Sequence, residues 1–170
     1  MKKITCIILT VAMVLLLAAC GSSSEGGKTT EAKQQSGGGG YKFTYNGTEI
    51  VMHEKADSVL SALGEAKSYS EAASCLGEGI DKTYFYGSFY VTTYPKNGAD
   101  YIASAWFADD TMTTAEGICI GDAKDKVEKV YGADKFNGNN AYVIESGEMN
   151  LTIIMKNDVV DSITYTAQFN

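Results

Sequence analysis

Residues 50–64 and 118–132 of this chain align without a gap, and that internal repeat constrains the fold more than any other feature. Ile50 meets Ile118, Asp57 meets Asp125, Val59 meets Val127 and Gly64 meets Gly132, with Met52 opposite Ile120 and Glu54 opposite Asp122. In each copy an apolar-alternating triplet comes first, as the end of a strand. An acidic residue, Glu54 or Asp122, then stands near a helix start, where negative charge suits the free N–H groups and the dipole. Short amphipathic helices follow, expected over 56–63 and 122–131. Val59, Leu60 and Leu63 form the apolar stripe of the first, and Val127, Val130 and Tyr131 that of the second. Gly64 and Gly132 sit where a left-handed C-terminal cap favours glycine.

The stretch after each helix repeats as well. In the second copy 141–145, 149–156 and 159–167 read as strands, separated by Ser146-Gly147-Glu148 and Asn157-Asp158, turn chemistry that implies an antiparallel meander. In the first copy 82–86, 89–94 and 101–108 match them, with Gly87-Ser88 and residues 95–100 as turns. The first copy has extra residues over 65–81, and 68–75 reads as a further helical turn capped by Ser68 or Ser70. Ahead of both copies, Asn46-Gly47 lies between two β-rich runs over 41–52, a strong hairpin signal. The expected fold class is therefore α+β: a two-layer sandwich with an N-terminal hairpin and two helix–three-stranded antiparallel meander repeats sharing one core. Repeat one covers about 50–107 and repeat two about 118–165, inside one folded domain over 41–170.

The chain begins with a cationic start, Met1-Lys2-Lys3, followed by an apolar run over 4–17 and then Leu17-Ala18-Ala19-Cys20. That order of charge, grease and small residues reads as a secretory signal, since the run is near the short end for a membrane span. The Leu-Ala-Ala-Cys sequence resembles the lipobox of bacterial lipoproteins. The resemblance implies that residues 1–19 are a signal peptide, that cleavage precedes Cys20, and that Cys20 is lipidated. Residues 20–40 then form a Gly/Ser tether containing no apolar side chain larger than alanine beyond the cysteine, so nothing offsets the entropy of ordering it. Its reach as a flexible coil is on the order of 25 Å. The expected location is the extracytoplasmic face of the cell membrane, held there by lipid.

Every basic residue in the chain is lysine, and from residue 41 onward ten lysines stand against nineteen Asp plus Glu. An acidic, arginine-free surface argues against a nucleic-acid partner and against a polybasic membrane patch. Any membrane link is through the N-terminal lipid. Two cysteines remain in the domain, Cys75 and Cys119, with no second His or Cys pair beside either, which argues against a zinc site. An oxidising location favours a disulfide between them, the alternative being two separate thiols packed as small apolar side chains.

The tandem arrangement of a helix followed by an antiparallel meander is similar to the β-lactamase inhibitory proteins. In single-copy form it is similar to the small lipoprotein of the outer-membrane barrel-assembly machine. The stretch 117–132 looks like that group's approach to its helix, with Gly121-Asp122 before the helix and Tyr131-Gly132 closing it. Residues 81–117 look like lipoproteins of anaerobic Gram-positive gut bacteria. These resemblances imply a protein-binding class of function, either inhibitor or envelope-assembly scaffold, and transfer no contact residue.

Catalytic chemistry finds little support. The one histidine, His53, stands at a strand-to-helix junction with no nucleophile or metal partner beside it, as a surface or capping residue would. Asp109-Asp110 and Asp122/Asp125 lack the alternating oxygen spacing of a calcium loop. No phosphate loop or Gly-x-Ser-x-Gly elbow occurs. The expectation is a protein that is not an enzyme, with no catalytic residue, cofactor or metal, and a hydrolase with an unrecognised site as the weakest alternative. The aromatic residues carry more. Tyr84, Tyr86, Tyr90 and Tyr94 alternate along two adjacent strands, and Trp106 stands on the third. With Phe89 and Val91 facing the core, Tyr90 and Tyr94 turn outward. The five form a candidate binding face for an extracytoplasmic protein, peptide or glycan. The structural alternative is cross-strand tyrosine pairing that stabilises an exposed sheet face.

Overall fold

The computed structural model describes residues 41–76 and 78–169. Alternation and turn chemistry together build most of it. In β1 (Phe43–Tyr45) and β2 (Thr48–Ile50), the hairpin closes through Asn46 and Gly47, both at positive φ, the twist that a two-residue turn needs. The helix α1 (Ala56–Leu63) follows, then β3 (Ser68–Ala73), β4 (Ile80–Phe85), β5 (Phe89–Lys96) and β6 (Ala99–Phe107). The second half contains α2 (Lys124–Tyr131), a 3-10 turn at Ala133–Lys135, β7 (Ala141–Ser146), β8 (Met149–Lys156) and β9 (Val159–Ala167). Asn97-Gly98 and Asn157-Asp158, again at positive φ, make the tight turns after β5 and β8. The chain thus turns within two residues where 95–100 was expected to loop.

The α+β two-layer sandwich expected from the repeat is not the architecture. Helix accounts for two eight-residue segments, and the two meanders merge into one seven-stranded antiparallel sheet of order β3-β4-β5-β6-β9-β8-β7, beside the two-stranded hairpin. The fold is mostly β. The seam is the antiparallel pairing of β6 with β9 over Ser104–Thr166, Ala105–Tyr165 and Trp106–Thr164. A further strand, β3, stands where 68–75 was expected to be helical. Its Ser, Glu and Ala residues favour a capped turn locally, but β4 offers a six-pair ladder from Ser68–Phe85 to Ala73–Ile80, and that non-local pairing prevails.

The two halves use equivalent backbone bonds. His53 and Gly121 donate N–H groups to the carbonyls of Ile102 and Val160, whose own N–H groups return to Glu54 and Asp122. Likewise Ala108 donates to Ser88 and Gln168 to Glu148. Both helices face a single apolar core through Val59 and Val127. Along β8, Met149, Leu151, Ile153 and Met155 are buried and the residues between them are not, the period-two pattern of a sheet covered on one side. Val130 lies largely outside, so the second helix buries Val127 and Tyr131 instead of the expected trio.

Cys75 and Cys119 are free thiols, not the expected disulfide. Cys119 lies two residues from Gly121, which bonds to Val160 at the start of β9, while Cys75 lines a cleft with Gln168 beyond the other end of that strand. Eight strand residues separate those ends by roughly 26 Å, far beyond the Cα separation of about 7 Å that a disulfide tolerates. Burial, joined by the neighbouring Asp122, pushes the Cys119 thiol above its ordinary pKa, whereas Cys75 is exposed. Without reductant, an alkylating reagent should therefore modify both residues, Cys75 faster than Cys119. Peptide mass spectrometry checks this, and a linked 75–119 peptide pair would refute it.

Candidate functional site

Pairing divides the expected aromatic face between the two sides of the sheet. Tyr84 pairs with buried Val91 and packs against the core, and Tyr86 is itself buried, so neither belongs to an outer face. Tyr90 and Trp106 do stand on the outer face, partly exposed. They stack at 4.7 Å with planes 11° apart, and Phe85 on β4 continues the row at 4.5 Å from Tyr90. Tyr94 shares their side of β5 but is 5% exposed, because Phe169 and His53 cover it. The expected patch of Tyr90, Tyr94 and Trp106 is thus two features: an aromatic row, and a covered tyrosine at the edge of a cleft.

That cleft has a volume of about 730 Å³, with His53, Tyr94, Tyr101, Phe169, Lys96 and Glu148 among its walls. His53 organises it. The Gln168 carbonyl, 3.0 Å from Nε2, can only accept, so Nε2 carries the proton in the neutral ring. Nδ1 then accepts from the Tyr94 hydroxyl at 2.8 Å. Burial raises the Tyr94 phenol above its ordinary pKa, with Tyr101 and Glu148 adding to it, which keeps it a protonated donor. Phe169 closes the group edge-on to His53 at 5.3 Å and to Tyr94 at 4.9 Å.

The internal pseudo-symmetry makes this cluster stand out. His53 occupies the place of Gly121 and holds a φ of 65°, a left-handed backbone that glycine adopts without cost. Tyr101 corresponds to Val159, its rung partner Tyr94 to Lys156, and Phe169 to Asp109, following the hydrogen bonds and ladders that relate the halves. The aromatic row corresponds to Glu145, Asn150 and Thr166, which form the same cross-strand line. The equivalent backbone pattern closes with glycine, aliphatic, polar and charged side chains at these positions. No ring stands at any of the places equivalent to His53, Tyr94, Tyr101, Phe169, Phe85, Tyr90 and Trp106.

Chemically the cluster fixes one imidazole tautomer against a phenol and a backbone carbonyl. Both His53 nitrogens are engaged, and among the described residues no group of three or more His, Cys, Asp or Glu could hold a metal ion. Cys20, the expected lipidation point, lies outside the described residues. Sequence reasoning passed over His53 because its partners are 41 and 115 positions away. The signal that could have found it is its alignment with Gly121. Compared with known protein families and with curated proteins, the chain matches none. A solved structure from Bacillus anthracis str. Ames, an extracellular protein containing an SCP domain, is similar at 10% identity with a TM-score of 0.43. The likeness covers 73% of this chain and 47% of that one, so this chain spans about half the length of its neighbour.

Proposed function

We propose that the protein is a lipid-anchored, extracytoplasmic binding module without catalytic activity, whose ligand seats in the His53–Tyr94–Phe169 cleft. The observation that carries this reading is the asymmetry between the halves: one of two equivalent backbone sites bears a histidine under left-handed constraint and three aromatic rings, the other Gly121, Lys156, Val159 and Asp109. A concave site where aromatic rings and fixed polar groups converge offers a small ligand both stacking area and oriented hydrogen bonds. With Lys96 and Glu148 offsetting each other at its rim, the cleft suits a ligand of little net charge. The anchoring half rests on the Leu17-Ala18-Ala19-Cys20 sequence.

Each half has its own test. Cys20→Ser should abolish incorporation of a fatty-acid analogue and leave the protein unprocessed or shed to the medium; a variant that still labels sinks the lipoprotein reading. For the cleft, His53→Gly gives the first half the residue of the second. It should weaken ligand binding at least about tenfold, and a variant that binds as the parent does would place the site elsewhere.

A further inference from the structure

The outer face between the aromatic row and the cleft is a grid of side chains on β5, β6 and β9. Along β5 the outward positions are Tyr90, Thr92 and Tyr94; along β6 they are Trp106, Ser104 and Tyr101. Thr164 and Thr166 extend the first two rows onto β9, and Gln168 reaches the cleft just beyond it. None of these side chains is charged, although the domain as a whole is strongly acidic. Farther across the sheet Thr152 and Asn150 continue the two rows, again uncharged. From Trp106 to Tyr101 the lane runs on the order of 15 Å, five strand residues.

Trp106 gives the lane its end. Tyr90 covers one face of the indole, and among the described residues no aromatic ring meets the other. Its neighbour on that side is Thr164, a side chain too short to cover an indole. In the middle row the Thr92 and Ser104 hydroxyls bond to each other. That leaves one of their two protons, their remaining lone pairs and the Thr166 hydroxyl to donate and accept. A pyranose ring needs these two things: a flat π surface for its C–H face, and neutral groups of both hydrogen-bonding senses for its hydroxyls. A nucleic acid or anionic polymer needs cations, which the lane lacks, and a protein partner would favour an apolar patch over a floor of hydroxyls. We propose that this lane binds a short uncharged oligosaccharide, stacked on the open face of Trp106 at one end and entering the His53–Tyr94 cleft at the other. The inference rests on the cleft being the ligand site and names the ligand's class.

Trp106 is the single tryptophan of the chain, so its emission reports the lane directly. Full-length protein is titrated with cellohexaose, xylohexaose and mannohexaose, followed by fluorescence and by calorimetry. At least one hexaose should shift or quench the emission, and Trp106→Thr should lower its affinity at least about tenfold, with Trp106→Phe losing less. Thr166 holds the equivalent place in the second half, so Trp106→Thr should fold, which circular dichroism checks. No response to any of the three at millimolar concentration overturns the proposal, as does binding of an anionic polysaccharide or a peptide in their place. If His53→Gly abolishes hexaose binding while Trp106→Thr does not, the lane fails and the cleft reading stands. If Trp106→Thr abolishes it while His53→Gly does not, the cleft reading fails and the Trp106 end stands.

Discussion

Phe43→Ala is expected to destabilise the domain by roughly 3–5 kcal/mol, the cost of removing a fully packed aromatic ring and leaving its cavity. Phe43 is 1% exposed on the N-terminal hairpin. Its ring meets Phe89 at 5.1 Å and Phe107 at 5.2 Å, both from the first meander, and Tyr165 at 5.8 Å from the second. One side chain thus joins the hairpin to both halves across the β6–β9 seam. A loss of that size is a large share of the ~5–15 kcal/mol that holds an ordinary domain together. Chemical denaturation should show an earlier midpoint with an unchanged slope, whereas Thr44→Ala, at the exposed position next to it, should move little. A shift below about 1 kcal/mol for Phe43→Ala would mean that the hairpin does not close this core in solution.

The same seam marks where sequence reasoning stops. Local signals carried the strands of both meanders: Met149, Leu151, Ile153 and Met155 alternate, and Asn-Gly or Asn-Asp pairs supply the left-handed turns. Helix α1 was legible from Val59 and the closing Gly64. What no local pattern carries is the partner of a sheet edge. Nothing within β6 or β9 says that Ala105 pairs with Tyr165 and turns two small sheets into one, and that pairing made the expected sandwich wrong. Nor does Ser68–Ala73 announce itself as a strand, since its extended form depends on the ladder of β4. The aromatic face was half legible for the same reason. Alternation put Tyr90 and Trp106 outward, but the cover over Tyr94 comes from Phe169, near the chain's end. The cleft lay furthest from view, because His53 is chemically bland until the fold brings Tyr94 and Gln168 to its two nitrogens.

His53→Gly should separate what the cleft does from what the fold needs. Three contributions change together. The left-handed backbone at φ 65° costs a non-glycine residue on the order of 1–2 kcal/mol, and glycine removes that cost. Two hydrogen bonds, to Tyr94 and Gln168, disappear, each worth about 1 kcal/mol net. Glycine also adds freedom to the unfolded chain, a further loss of roughly 0.5–1 kcal/mol. Strain relief and lost contacts nearly cancel, so overall stability should fall by no more than about 1–2 kcal/mol. The local consequences are larger. Without the imidazole, Phe169 loses one of its two aromatic partners and the Gln168 carbonyl loses its donor, while the Gln168 amide keeps its bond to Glu148. Hydrogen exchange should therefore quicken where the 168–169 segment packs and stay slow through β5, β6 and β9. Tyr94, no longer bonded to an imidazole nitrogen, is free to rotate its hydroxyl, and the ligand must then order a wall that His53 now holds in place. A variant that melts near the parent, exchanges faster over 168–169 and loses ligand would show a residue kept for binding, at a position where Gly121 proves glycine sufficient for the fold. Global destabilisation of several kcal/mol would instead make His53 a structural latch, and its departure from Gly121 would carry no functional meaning.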